Sequence, residues 1–167
     1  MTLPTPYDES IPAPRWLLGV AAVAGVVMVI ASVVVLLAGE MPALGRIPLA
    51  AVLLLAGLAM FYVVRTFATL RVHVTAERLQ FGFGPLGREL VAGAILDAAP
   101  DRYPWLRYGG WGVRISSGGH RAYSQAFQRG SVVIRAADDH RYHVSSRQPA
   151  ALAEAINRMA TGESASS

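Results

Sequence analysis

The chain has 167 residues, a hydrophobic share of 53%, a formal charge of +4 and no cysteine. The missing cysteines exclude disulfides, thiolate metal sites and cysteine nucleophiles. All fifteen basic residues are arginine, which reads as the codon signature of a GC-rich bacterial genome, and their spread along the chain argues against the clustered stripe that nucleic-acid binding needs.

Residues 1–15 hold Pro4, Pro6, Pro12 and Pro14 together with Asp8 and Glu9, and show no apolar periodicity. They predict a flexible tail on the membrane face.

Residues 16–37 contain no ionisable side chain. A helix of that length rises about 33 Å, enough to cross the hydrocarbon of a bilayer. At about −0.3 to −0.6 kcal/mol for each central Val, Leu or Ile, its thirteen such residues favour insertion by roughly 4 to 8 kcal/mol. The run is too long for the apolar core of a secretory signal, and it is apolar all round, unlike a core helix of a soluble domain. A second uncharged run, 47–64, stands at the short end of the spanning range, with Pro48 suited to its first turn. Between them, 38–46 carries Glu40, Arg46 and the turn formers Gly39, Pro42 and Gly45. The two runs predict a transmembrane hairpin over 16–64. Ala21 and Gly25, four apart, would let another helix approach closely.

Arg15 precedes the first run and Arg65, Arg71 and Arg78 follow the second, whereas the connecting loop has only Arg46. The excess of arginine on the flanks predicts cytoplasmic N and C termini in the plasma membrane, with Trp16, Phe61 and Tyr62 at headgroup level.

Beyond the hairpin the pattern becomes alternating, as in half-buried strands. Leu70, Val72 and Val74 predict one strand, and Leu79, Phe81 and Phe83 a second. After the turn Gly84-Pro85-Leu86-Gly87, short strands fit 88–91 and 94–98. Gly109-Gly110-Trp111-Gly112 leads into a strand ending at Ile115 and closed by Ser117-Gly118-Gly119. Further strands fit 120–125, 131–136 and 141–145. Leu152, Ala155, Ile156 and Met159 then make one apolar stripe on a helix opened by Pro149 and capped from Ser146. Residues 161–167 read as a disordered polar tail.

Strands followed by one C-terminal amphipathic helix follow the order of a pleckstrin-homology-like (PH-like) domain. The run Tyr108-Gly109-Gly110-Trp111-Gly112-Val113-Arg114, then Gly130-Ser131-Val132, a further strand and the Pro149-led helix, resembles bacterial membrane proteins that carry a PH-like domain behind two transmembrane helices. The resemblance covers the hairpin and residues 66–160. It implies a membrane-anchored α+β fold, in which the hairpin leads into a PH-like cytoplasmic domain over 65–160: a seven-stranded bent sheet or barrel with the helix plugging one end. It implies no reaction, since most such proteins are of unknown function, and fold analogy does not supply one. Phosphoinositide-binding relatives use a basic first hairpin loop; Thr75-Ala76-Glu77-Arg78 offers one arginine beside an acid, so that property does not carry over.

Candidate chemistry is sparse. GxSxG, HExxH and Walker patterns are missing, so no activated nucleophile, zinc-bound water or phosphate cradle is indicated. His140 and His143 fall on opposite faces of a strand. Asp97 and Asp101 read as solvated acids of a loop before Arg102. Gly109, Gly110, Trp111 and Gly112 read as the structural start of a strand, where glycines allow bulge or positive-φ geometry and Trp111 packs. Arg102, Trp105, Arg107 and Tyr108 form the one basic and aromatic cluster, suited to lipid headgroups or a partner surface.

The expected function is therefore non-enzymatic, without cofactor or metal: a scaffold presenting an interaction domain at the cytoplasmic membrane face, with membrane lipids and a membrane protein partner or self-association as its contacts. From Arg65 onward thirteen arginines face eight acids, so an anionic-lipid surface sensor is the alternative. An enzyme with an unrecognised site is a distant third.

Overall fold

The computed structural model describes residues 7–38, 42–116 and 120–162. Glu40, the Ser117-Gly118-Gly119 turn and the tail beyond Gly162 lie outside the described residues. Two compact units are present: a helical hairpin, Pro14–Ala68, and a β unit assembled from the chain on both sides of it, Met1–Ala13 with Thr69–Ser167.

The hairpin consists of α1 (Arg15–Leu37) and α2 (Ala43–Phe67). Both are long and apolar enough to span a membrane, and only 11% of each most apolar window is buried within the protein. Their mutual approach is set by small residues. A Cβ placed on Gly57 would meet Val29 Cγ2 at 2.8 Å and the Gly25 carbonyl at 3.0 Å, so the two backbones pass where only hydrogen fits. Near this crossing the buried Ser32 hydroxyl donates to the Ala50 carbonyl at 2.8 Å. The Arg46 guanidinium donates to the Ala38 carbonyl at the end of α1, supplying a donor to a terminal carbonyl that the helix leaves unpaired. The second helix starts before the expected Ile47, which places Pro48 inside it rather than in its first turn. With no N–H at Pro48, the carbonyl of Leu44 loses its helical partner; Leu44 itself is exposed.

The β unit holds nine strands in two sheets, with no closed barrel among the described residues. The first sheet has the order β1 (Tyr7–Pro12), β2 (Thr69–Val74), β3 (Arg78–Phe83) and β4 (Leu86–Val91), all antiparallel. Over residues 7–12, strand β1 replaces the flexible tail expected for 1–15, while residues 1–6 lie outside the described residues. Tyr7, Glu9 and Ile11 alternate inward against exposed Asp8, Ser10 and Pro12, and an edge strand tolerates the prolines that concealed this period. Its register, from Tyr7 opposite Val74 to Pro12 opposite Thr69, joins the segment before α1 to the segment after α2.

The second sheet contains β5 (Ile95–Arg102), β6 (Gly112–Ile115), β7 (Arg121–Ser124), β8 (Gly130–Ala136) and β9 (Arg141–Ser145), in the order β5-β8-β9-β7-β6. A single seven-stranded bent sheet or barrel is thus replaced by sheets of four and five strands. Nor is the second sheet a simple meander, because β7 runs parallel to β9. The 125–129 link carries the chain past β9 to β8, and β9 then returns into the gap. Between the sheets, Phe81 meets Tyr123 edge-on at 4.9 Å and Tyr142 at 5.7 Å. Leu70, Val72, Leu79, Ile134 and Val144 are fully buried there, each worth about 1.5–3 kcal/mol of burial.

Helix α4 (Pro149–Thr161) buries Leu152, Ile156 and Met159, the expected stripe, and contacts β5, β8 and β2. Its N-cap is Gln148 rather than Ser146; the Ser146 hydroxyl instead accepts from the Gln148 N–H at 3.0 Å. Asn157 on this helix pairs with both backbone groups of Ala98, each at 2.8 Å. A side-chain amide thereby does for the edge of β5 what a neighbouring strand would do.

Candidate functional site

Strand register shows which polar side chains share a surface. Asp97, Arg135 and Arg141 lie across β5, β8 and β9. Two residues on, Ala99, Val133, His143, Ala122 and Arg114 align across all five strands. Two further, Asp101, Ser131 and Ser145 align. With side chains alternating along strands, these rows occupy the face opposite Ile134, Val144 and Tyr142.

That face is partly covered by the short helix α3 (Trp105–Tyr108) and its flanks. Tyr103 and Tyr108 are buried, their rings stacked at 5.8 Å, and they cluster with Ala122. The Tyr108 ring also meets His143 edge-on at 5.3 Å. The Tyr103 hydroxyl donates to the Gly110 carbonyl at 2.7 Å. Burial raises the Tyr103 phenol above its ordinary pKa, with the Ser124 hydroxyl and the Arg114 charge acting in the opposite direction. The chain can double back here because Gly109, Gly110 and Gly112 take φ of +69°, +130° and +96°, a region where a side chain would clash.

His143, nearly buried, has its Nδ1 3.9 Å from the Asp101 carboxylate. Asp101 also accepts from the Arg102 N–H at 2.7 Å. Asp97 and Asp101, expected in a loop, are both on β5. Asp97 takes two hydrogen bonds from the Arg135 guanidinium, and that pairing holds its carboxyl below the usual range. His140, three residues before His143, is half-buried and pairs with Asp138 at 3.1 Å. Among the described residues, no three His, Asp or Glu side chains gather as they would around a metal ion.

The basic and aromatic cluster expected on one surface does not stay together. Arg102 is exposed, while Tyr108 is turned inward against Tyr103 and His143. The side chains of Trp105 and Arg107 lie outside the described residues. Trp111 packs on Phe127 at 4.5 Å, and both rings remain substantially exposed. Phe127 carried no sequence signal, since it lies in the link between two strands; nor did Arg129, which lines an open cleft of about 570 Å³ with Arg102, Asp101, Pro100, Gly130 and Pro149.

No protein-family model, curated protein or solved structure matches the chain. The fold itself defines a mixed α+β protein with two apolar helices inserted between the first and second strands of a sheet.

Proposed function

We propose that the chain is an integral protein of the plasma membrane whose hairpin anchors a PH-like interaction domain at the cytoplasmic face, and that it acts by holding a protein partner there rather than by catalysis. One observation carries the reading: β1, just before α1, pairs along its whole length with β2, just after α2. Two spans whose outer ends are stitched into one sheet must begin and finish on the same side of the bilayer. Arg15, Arg65, Arg71 and Arg78 flank those ends against Arg46 in the loop, which favours the cytoplasmic side. The PH-like assignment draws support from two packed sheets closed by a C-terminal helix, although the parallel β7–β9 pair and the added β1 depart from that pattern. Partner binding is supported by the unequal treatment of edges. Asn157 covers the edge of β5, whereas β6 is an edge with Ile115 exposed and β4 an edge with Leu86 and Val91 exposed, which suits strand addition.

Reporter fusions test the topology. The expected result is a cytoplasmic signal at Ser167 and an external one at Gly39; a cytoplasmic signal at Gly39 overturns the orientation. Purification of the full chain from membranes in mild detergent is expected to bring down a stoichiometric protein, and recovery of the chain alone, as a monomer, would remove the scaffold reading.

A further inference from the structure

We infer that the Trp111–Phe127 pair and the cleft between Arg102 and Arg129 form a docking site for anionic lipid, the rings entering the interface while the two guanidinium groups receive headgroup phosphate. This rests on the membrane reading above but assigns the contact to residues that the reading does not require.

The aromatic half of the site is held outward at a cost. Phe127 has φ of +63°, a backbone region that residues with a side chain rarely adopt, yet its ring and that of Trp111 stay 54% and 40% exposed. Water is a poor environment for two adjoining rings, whereas the headgroup boundary favours them. The basic half lies beside it in the chain. Arg129 is two residues beyond Phe127, and it shares one open cleft with Arg102, whose strand partner is Gly130. Neither guanidinium has an ion pair among the described residues, in contrast to Arg78 and Arg135. Asp101 also lines the cleft. Its carboxylate, however, is engaged by the Arg102 N–H and lies near His143, leaving the arginines to an outside anion. Arg114, exposed and hydrogen-bonded through Nε to the Trp111 carbonyl, adds a third positive charge beside the Trp111 backbone.

Connectivity favours a bilayer as the occupant. Gln125, in the same link as Phe127, donates its side-chain N–H to the Ile11 carbonyl at 2.9 Å. Ile11 lies near the end of β1, and α1 begins at Arg15. The link that displays Phe127 is therefore bonded to the strand end from which the chain enters its first apolar helix. Each arginine near an anionic surface strengthens attraction about fivefold, the equivalent of about 1 kcal/mol.

The full chain, placed in nanodiscs with brominated acyl chains, tests the site through its own tryptophans. One variant keeps only Trp111 (W16F with W105F) and another keeps only Trp16 (W105F with W111F). Bilayers of phosphatidylcholine alone are compared with bilayers containing phosphatidylglycerol. The expected result is quenching of Trp16 in both lipids, and quenching of Trp111 that is strong with phosphatidylglycerol and weak without it. Adding R102E and R129E should weaken docking by at least about fivefold for each arginine reversed, with Trp16 unchanged. Inorganic phosphate should quench neither tryptophan and leave the lipid effect in place. Quenching of Trp16 with no quenching of Trp111 in either lipid overturns this inference and leaves the anchor intact. Equal Trp111 quenching in both lipids, or none lost in the R102E/R129E variant, overturns the role of the arginines. Absence of quenching at Trp16 refutes the membrane reading itself.

Discussion

The hairpin and the β unit are built from the same apolar residue types and treat them in opposite ways. Val27, Ile30, Val34 and Leu55 on the two helices are each more than half exposed, whereas Leu70, Val72, Leu79 and Ile134 in the sheets have no exposed surface. The difference teaches what pattern does that composition cannot. A continuous apolar run offers no polar face, so its helices present apolar surface that the protein itself does not cover. An alternating run divides itself into a buried and a wetted face and can enclose its own interior. Polar groups follow the same division. The buried Ser32 hydroxyl of the hairpin uses a backbone carbonyl of the facing helix, while the β unit gathers Glu9, Ser146, Tyr7 and Arg147 into a network between its first strand and the start of its last helix.

The contrast is broken most sharply by truncating one apolar residue in each region. Ile134→Ala should cost the β unit about 2–5 kcal/mol, whereas Val27→Ala on the outer surface of α1 should leave unfolding in detergent within about 0.5 kcal/mol of the parent. Equal losses would mean that α1 is packed as an internal helix.

Next comes the network at Glu9. Its carboxylate accepts from the Ser146 hydroxyl at 2.6 Å, from the Arg147 N–H at 2.7 Å and from the Tyr7 hydroxyl at 2.9 Å. Glu9→Ala should destabilise the β unit by about 1.5–3 kcal/mol, as for hydrogen bonds to a charged group. Tyr7 reports on the same network. Burial above all, opposed by the Ser146 hydrogen bond and reinforced by Glu9, raises its phenol to about 12. A folded pKa above the unfolded value means that Tyr7 stabilises the protein fully below pH 10, and that this contribution disappears as pH climbs from 10 to about 12. A pH titration of unfolding should show that loss, and Tyr7→Phe should remove it.

Within the hairpin, Gly57→Val should force the helices apart at a cost of about 1–3 kcal/mol, the usual penalty of overpacking, and be read as loss of the compact form in detergent electrophoresis. Ser32→Ala is the mildest change, about 0.6 kcal/mol, because a single interhelical hydrogen bond contributes little when the separated helices find other partners.

The sequence made some of this visible and hid the rest for physical reasons. The two apolar helices announce themselves through length and lack of charge, and β2, β3, β8 and β9 through period two. The stripe Leu152, Ile156, Met159 likewise foretold a helix against a sheet. Hidden were the features that depend on partners far along the chain. Strand β1 is recognisable only beside β2, across the whole hairpin, and its prolines obscure it. The parallel β7–β9 pair has no local signature. Tyr108 reads as one of four surface residues until Tyr103 and His143 are found on either side of its ring. Asp101, which looked like a loop acid, becomes the neighbour of His143 only when β5, β8 and β9 are in register.

Alkaline carbonate extraction of membranes expressing the full chain tests the central claim most directly. If α1 and α2 cross the bilayer as proposed, the chain should remain in the pellet at full length, because lipid rather than salt-sensitive contacts would hold it. Release of the intact, unprocessed chain into the supernatant would contradict the account.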